Sequence, residues 1–332
     1  MARLGLVLAS VVACVHGFQS GVHSPSHALG RLRSRGTRAQ RSSRLPALKA
    51  SANNLSPVII CPAQFGVAKD YDSLIAQLEV IGHPAVVVAP LSRFGWLRIL
   101  PSALSPEFWQ SALPMSPTLD FYFEALDKAV AEVQRQCGSD TPVTIVGHSI
   151  GGWVMRAFLT QRPEVRASTD LICSLGTPNR TPPEGTIWAN VDQTRGLLKG
   201  VNEAWSSLDA RPPTVCVIGT GTEGGFSTQV WDEDLGRSTT LERALAGVSY
   251  LALCGDAFCK GDGLIPVEAS TVDGQGEGDE VKTLLLEDCN HSGFIPTALD
   301  SILLPDTYKW YGSPDMVEQW TPLLKGPAVW GS

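Results

Sequence analysis

Residues Gly147-His148-Ser149-Ile150-Gly151-Gly152 constrain the fold more than any other stretch of this chain. Val143-Thr144-Ile145-Val146 leads into them, short, apolar and β-branched, the composition of a buried strand. Trp153 to Leu159 follows and reads as a helix. A strand that turns this abruptly into a helix needs small residues where the two elements meet, and Gly147 and Gly151 stand there. Ser149 is then forced to the tip of the turn, its hydroxyl exposed above the strand end. The first amides of the helix point at the same spot, where they can stabilise an oxyanion. Read alone, G-x-S-x-G is also the composition of an ordinary turn, so a base and an acid must be sought elsewhere in the chain.

The 332 residues suit one large domain or two small ones, and a 43% hydrophobic content allows a sizeable core. Charge is unevenly spread. Residues 1–50 hold seven Arg and Lys49 with no acid, and the first acidic residue is Asp70. Removing those eight positive charges from the overall −7 leaves −15 for residues 51–332, an acidic body that argues against a nucleic-acid partner. Leu4 to Val15 has the length of a signal-peptide core, with small residues placed for cleavage after Gly17. Phe18 to about Lys49 is rich in Ser, Arg and His, a transit-peptide composition. Residues 1–17 and 18–50 together resemble the two-part presequence of plastid proteins in algae with secondary plastids; secretion and a mitochondrial presequence are the alternatives. No later stretch reaches 18 apolar residues, so no membrane span is expected after the leader.

Along 51–332, Val58 to Cys61 and Ala85 to Ala89 read as strands flanking a helix from Tyr71 to Ile81 that Gly82 ends. Strand, helix, strand at this length implies a parallel sheet. Residues 91–117 are irregular yet carry Trp96, Phe108, Trp109 and Leu113; they are either packed on the domain's side or part of a wall for an apolar substrate. Thr118 is expected to cap a helix that reaches Gln136. Strands follow at Asp170–Leu175, Thr214–Ile218 and Val281–Leu286, with a closing helix from Pro314 to Leu324. Leu241–Ala246 is expected as a short helix and Tyr250–Leu253 as a strand. Residues 179–211, with Trp188 and Trp205, read as an insertion over the site, and 221–247 as a further one. Seven cysteines remain after the leader, none spaced C-x-x-C, so neither zinc ligation nor a disulfide framework is supported. Cys61, Cys173 and Cys216 sit in apolar runs and read as core residues; Cys254 and Cys259 flank a loop, and the sequence leaves open whether they pair.

Three histidines lie beyond the leader. His83 precedes a strand, at the wrong end of a parallel sheet for an active site, and His148 adjoins Ser149, so its side chain points elsewhere. His291, on a loop five residues after the strand ending at Leu286, is the remaining base. The acid belongs between serine and histidine in sequence. Asp262, between Gly261 and Gly263, is the best placed, with Asp256, Asp273 and Asp288 as rivals.

The order Ser149, Asp262, His291 around G-H-S-x-G-G resembles the α/β-hydrolase fold: a mostly parallel central sheet with helices on both faces and cap insertions. Leu175-Gly176-Thr177-Pro178, Asp262-Gly263-x-Ile265-Pro266 and His291-Ser292 resemble its lipase-like members, and Trp310-Tyr311-Gly312-Ser313 resembles plastid-targeted hydrolases of plants and algae. The likeness spans roughly residues 57–324. Many relatives carry His-Gly after the first strand, where this chain has Pro62-Ala63. The resemblance implies an oxyanion hole made by the amide of Gln64, or of its neighbour Phe65, with the amide of Ile150. It also implies a serine ester hydrolase without metal or cofactor, acting on a small-molecule ester. Phe65, Trp96 and Trp188 are the expected substrate contacts, and the apolar wall suggests a lipid or other apolar ester and a peripheral membrane contact. An acyltransferase using the same three residues, and a non-catalytic binding protein on this fold, are the competing readings.

Overall fold

The computed structural model describes residues 55–185, 192–226, 231–232, 237–272 and 280–331, all within the compact unit Leu55–Ser332. Residues 1–54, on which the leader readings fall, lie outside the described residues, as do Trp188 and Asp273.

The main elements run β1 (Val58–Cys61), α1 (Asp72–Ile81), β2 (Val86–Val88), α2 (Asp120–Cys137), β3 (Val143–His148) and α3 (Gly151–Gln161). They continue with β4 (Thr169–Leu175), α4 (Leu197–Ser206), β5 (Thr214–Gly219), α5 (Thr240–Cys254), β6 (Val281–Leu286) and α6 (Pro314–Trp320). The six strands form one sheet in the order β6-β5-β4-β3-β1-β2, and every neighbouring pair is parallel. Helices cover both faces, so the central strands are apolar on both sides, and the two-residue period of a strand sorts them. Ile59, Ile145 and Ile172 face a layer built from α2, α3 and α4, through Leu126, Phe158 and Trp205 among others. Val58, Val146 and Cys173 face the opposite layer, built from α1 and α6 through Leu74, Leu78 and Trp320. Among the described residues no helix is long and apolar enough to cross a membrane.

The chain moves outward from β1 to β2 and returns as β3 on the other side of β1. Strand order reverses there, and the loops leaving the carboxyl ends of β1 and β3 diverge to leave a crevice.

The elements depart from the sequence expectations in three places. Tyr250–Leu253, expected as a strand, is the second half of α5, which runs unbroken to a left-handed Gly255 (φ 84°). Four apolar residues fit a strand or a buried helix equally well, and here Ala246 and Tyr250, one helical turn apart, are buried together. Thr118 does not cap α2: it closes a short helix, Met115–Thr118, and Leu119 precedes α2 without a side-chain bond. Residues 179–211 are not wholly an insertion over the site, because α4 within them lays Leu197, Leu198, Val201 and Trp205 into the core. Residues 91–117, for which the sequence left two readings open, divide: Trp96, Phe108 and Leu113 are buried in the core, whereas Phe94, Leu97, Leu100 and Leu104 are exposed.

Candidate active site

Ser149 sits at the turn between β3 and α3 with φ at 55°, in the left-handed region that a serine rarely adopts. The turn is held by Ser149 N–H donating to Leu175 O at the end of β4 (2.8 Å) and by Gly152 N–H donating to Ser149 O (3.1 Å). This geometry lifts Oγ above the sheet, where His291 Nε2 lies 3.0 Å away. The other ring nitrogen, His291 Nδ1, is 2.8 Å from Asp262 Oδ2. Three side chains as much as 142 residues apart in the chain thus form one continuous hydrogen-bonded line.

Asp262 is buried and its carboxylate is filled with donors. Oδ1 accepts the amides of Leu264 (3.0 Å) and Ile265 (2.7 Å), and Oδ2 accepts Tyr311 Oη–H (2.8 Å) beside the imidazole. A buried carboxylate is tolerated when its lone pairs are satisfied in this way. Asp262 does not end a strand of the main sheet, as the sequence suggested. It follows a two-residue strand, Lys260–Gly261, which pairs antiparallel with Thr222–Glu223 just beyond β5. Of the rivals, Asp256 caps its own loop by accepting Phe258 N–H, and Asp288 is a left-handed, exposed loop residue. The His291 loop is tied to the Asp262 loop through its backbone as well, since His291 N–H donates to Asp262 O (2.8 Å).

Tyr311 is a site residue whose role sequence reasoning missed. Its hydroxyl donates to Asp262 Oδ2 and accepts Gly219 N–H at 2.8 Å, so it joins the end of β5 to the carboxylate. The only signal was the Trp310-Tyr311-Gly312-Ser313 stretch, which says nothing of that contact. Tyr311→Phe is expected to leave the Gly219 amide buried without an acceptor, costing about 1–3 kcal/mol. Chemical denaturation measures that loss, and an unchanged midpoint would count against it.

The loop after β1 is fastened at more than half of its polar backbone groups. Pro62 O accepts Tyr122 Oη–H, Ala63 N–H donates to Tyr71 Oη (2.8 Å), and Gly66 N–H donates to Ala63 O (2.9 Å). Val67 N–H donates to Asp70 Oδ2 (2.9 Å), while Arg93 donates to Phe65 O and pairs with the buried Asp70 (3.2 Å). Among the described residues, the amides left without a protein acceptor in this loop are those of Gln64 and Phe65, and the Ile150 amide at the start of α3 is free as well. Phe65 adopts a left-handed φ of 61° and packs its ring 5.7 Å from that of Trp96. Trp96 is buried against Phe121 and Tyr122, so it touches this loop from within the core, through Phe65. Arg93→Met leaves Asp70 as a buried charge without its partner, and a loss of about 3–5 kcal/mol is expected. Thermal unfolding that matches the unsubstituted protein would contradict it.

His148 is fully enclosed, and burial, followed by the neighbouring His291, pushes its pKa down to about 3. The unfolded chain therefore binds a proton below pH 6.5 that the folded chain does not. Folding stability is complete above that pH and is lost as pH falls toward 3, at a slope approaching about 1.4 kcal/mol per unit. Burial lowers the pKa of His83 in the same direction. Denaturation midpoints measured from pH 7 to 4 are expected to fall more steeply in the unsubstituted protein than in His148→Gln.

The thiols of Cys254 and Cys259, whose pairing the sequence left open, stand 3.6 Å apart and are not bonded in this structure. Cys61, Cys173 and Cys216 are buried in the core. Among the described residues no group of His, Cys, Asp and Glu is arranged to hold a metal ion.

Comparison with known proteins gives a family model described as a PGAP1-like alpha/beta domain, matching residues 115–248. No curated protein matches the chain. Among solved structures, a metagenomic carboxyl esterase is similar at 15% identity and a TM-score of 0.48, covering 97% of this chain and 91% of that one. Est1E from Butyrivibrio proteoclasticus is similar at 13% identity and a TM-score of 0.39, covering 82% and 88%. A monoacylglycerol lipase from Paleococcus ferrophilus is similar at 11% identity and a TM-score of 0.35, covering 71% and 86%. A parallel sheet covered by helices on both faces, with Ser149 on a sharp turn between β3 and α3, is the α/β-hydrolase fold, and over residues 115–248 the chain is similar to the PGAP1-like alpha/beta domain.

Proposed function

We propose that this protein hydrolyses carboxylic esters through an acyl-enzyme on Ser149. The observation that carries the reading is the line Ser149 Oγ, His291, Asp262, with separations of 3.0 and 2.8 Å. His291 Nε2 takes the hydroxyl proton as Oγ attacks the ester carbonyl, and Asp262 holds the proton on Nδ1 and stabilises the imidazolium. The tetrahedral oxygen is received by the Ile150 amide and that of Gln64 or Phe65, whose N–H groups find no acceptor among the described residues. His291 then protonates the leaving alcohol, and water, activated by the same ring, releases the acid.

The substrate is proposed to be an apolar ester. Phe65 beside the oxyanion loop and the exposed Phe94, Leu97 and Leu100 on the segment after β2 support that reading and a peripheral contact with lipid. The leader composition adds a plastid location, which a fluorescent fusion of residues 1–50 tests. The decisive experiment for the activity is a panel of esters of increasing chain length, run with and without an acceptor alcohol, alongside fluorophosphonate labelling. Labelling at Ser149 with release of free acid supports hydrolysis. Transfer to the alcohol points to an acyltransferase, and a folded protein that neither labels nor turns over any ester points to a binding role.

A further inference from the structure

His148 lies one residue before Ser149 and is 1% exposed; Tyr71, from the start of α1, is fully buried. Three hydrogen bonds run through them. Ala63 N–H donates to Tyr71 Oη at 2.8 Å, Tyr71 Oη is 2.9 Å from His148 Nδ1, and His148 Nε2 is 2.8 Å from His291 O. Every proton in this chain is determined. A carbonyl oxygen only accepts, so His148 Nε2 carries a hydrogen. Burial keeps the ring neutral, so Nδ1 carries none and accepts the Tyr71 hydroxyl hydrogen. The Tyr71 oxygen is thereby free to accept the Ala63 amide.

The chain begins in the loop that holds the free Gln64 and Phe65 amides, crosses the residue before Ser149, and ends on the backbone of His291. With His291 N–H donating to Asp262 O, both polar backbone groups of the base are held, one from each side. The two imidazoles lie 5.2 Å apart at their centroids, and a neutral His148 leaves His291 able to take up a positive charge beside it. We propose that Tyr71 and His148 are positioning residues that lock the oxyanion loop and the base His291 into one hydrogen-bonded unit. The proposal rests on the hydrolase reading for its effect on rate, while its structural content, the His148 tautomer and its two partners, stands apart from it.

The test uses Tyr71→Phe, His148→Phe and His148→Gln in the full chain, with kcat and KM on the best ester of the panel. Loss of the base's register is expected to lower kcat by on the order of 10- to 100-fold in His148→Phe, with KM little changed. His148→Gln retains an N–H able to reach His291 O and is expected to recover most of that loss. Tyr71→Phe keeps its ring volume and is expected to fall between them, and the double variant Tyr71→Phe, His148→Phe to be no worse than His148→Phe. A purely structural role would lower the unfolding temperature of all three variants without this split. Nitrogen-15 NMR of the imidazoles reads the tautomer whether or not any ester is turned over: the Nε2–H form is expected, and it is expected to persist in Tyr71→Phe, where His291 O is still the acceptor and Nδ1 has lost only its donor. Folded variants with unchanged kcat, a His148→Gln as slow as His148→Phe, or an Nδ1–H tautomer in the unsubstituted protein would each overturn the proposal. Absence of turnover and of Ser149 labelling in the unsubstituted protein would remove the hydrolase reading and leave the tautomer to decide the network.

Discussion

Ser149→Ala is expected to lower kcat for every ester turned over by at least about 10⁴-fold, because a nucleophile acting with its base and acid as a unit leaves little when removed. The fold should survive the change. Among the described residues the Ser149 hydroxyl has one partner, His291 Nε2, and the turn itself is held by backbone bonds to Leu175 and Gly152. A second substitution separates chemistry from strain. Ser149→Gly removes the same hydroxyl and also relieves the left-handed φ of 55°, so it is expected to raise stability by about 1 kcal/mol while abolishing turnover. A gain in denaturation midpoint together with lost activity would show that the strained turn is maintained for the position of Oγ. Retention of more than about one per cent of activity in Ser149→Ala would refute the mechanism, since loss of the nucleophile outweighs that residual by orders of magnitude.

A large effect on stability is expected at the glycines of the same turn. A Cβ on Gly147 would lie 2.4 Å from Gly152 Cα and 2.5 Å from its nitrogen, and one on Gly151 would lie 2.3 Å from Cys61 O. All of these are backbone atoms, so no rotamer change relieves the contact. Helix α3 must instead move away from β3 and β1, opening the sheet–helix packing along its length. Gly147→Ala and Gly151→Ala are each expected to cost about 3 kcal/mol or more and to displace Ser149 from His291. Gly200→Ala is the matched control: it lies within α4 with open space where its Cβ would be, and a gain of about 0.5–1 kcal/mol is expected. Denaturant titrations of the three variants measure the contrast. Comparable stability in all three would mean that the turn does not require close backbone approach.

Much of the scaffold was legible because local rules and tertiary packing agree there. Val58–Cys61, Leu171–Leu175 and Thr214–Gly219 are buried on both faces, which only a strand covered on both sides accommodates. The readings failed where a short pattern suits two environments. Tyr250–Leu253 became helix because Tyr250 is needed on one face of α5, where its hydroxyl binds Thr222 O and Gly263 N–H at the acid loop. Leu197 to Trp205 was hidden by the polar residues around it, although its apolar positions recur at helical spacing.

The amino-acid order alone determined that a strand, a serine turn and a helix follow one another, and elimination among three histidines left His291, since residue type and local spacing suffice for both. Tertiary structure alone decided what surrounds that line: Tyr311 on Asp262, Arg93 on the loop after β1, and Tyr71 and His148 between that loop and the base. Apart from the Ala63–Tyr71 bond, eight positions long, these contacts join residues 28 to 143 positions apart. A hydrogen bond depends on direction and on a few tenths of an ångström, and side chains so far apart in the chain acquire that relation only when the sheet brings its loops to one edge.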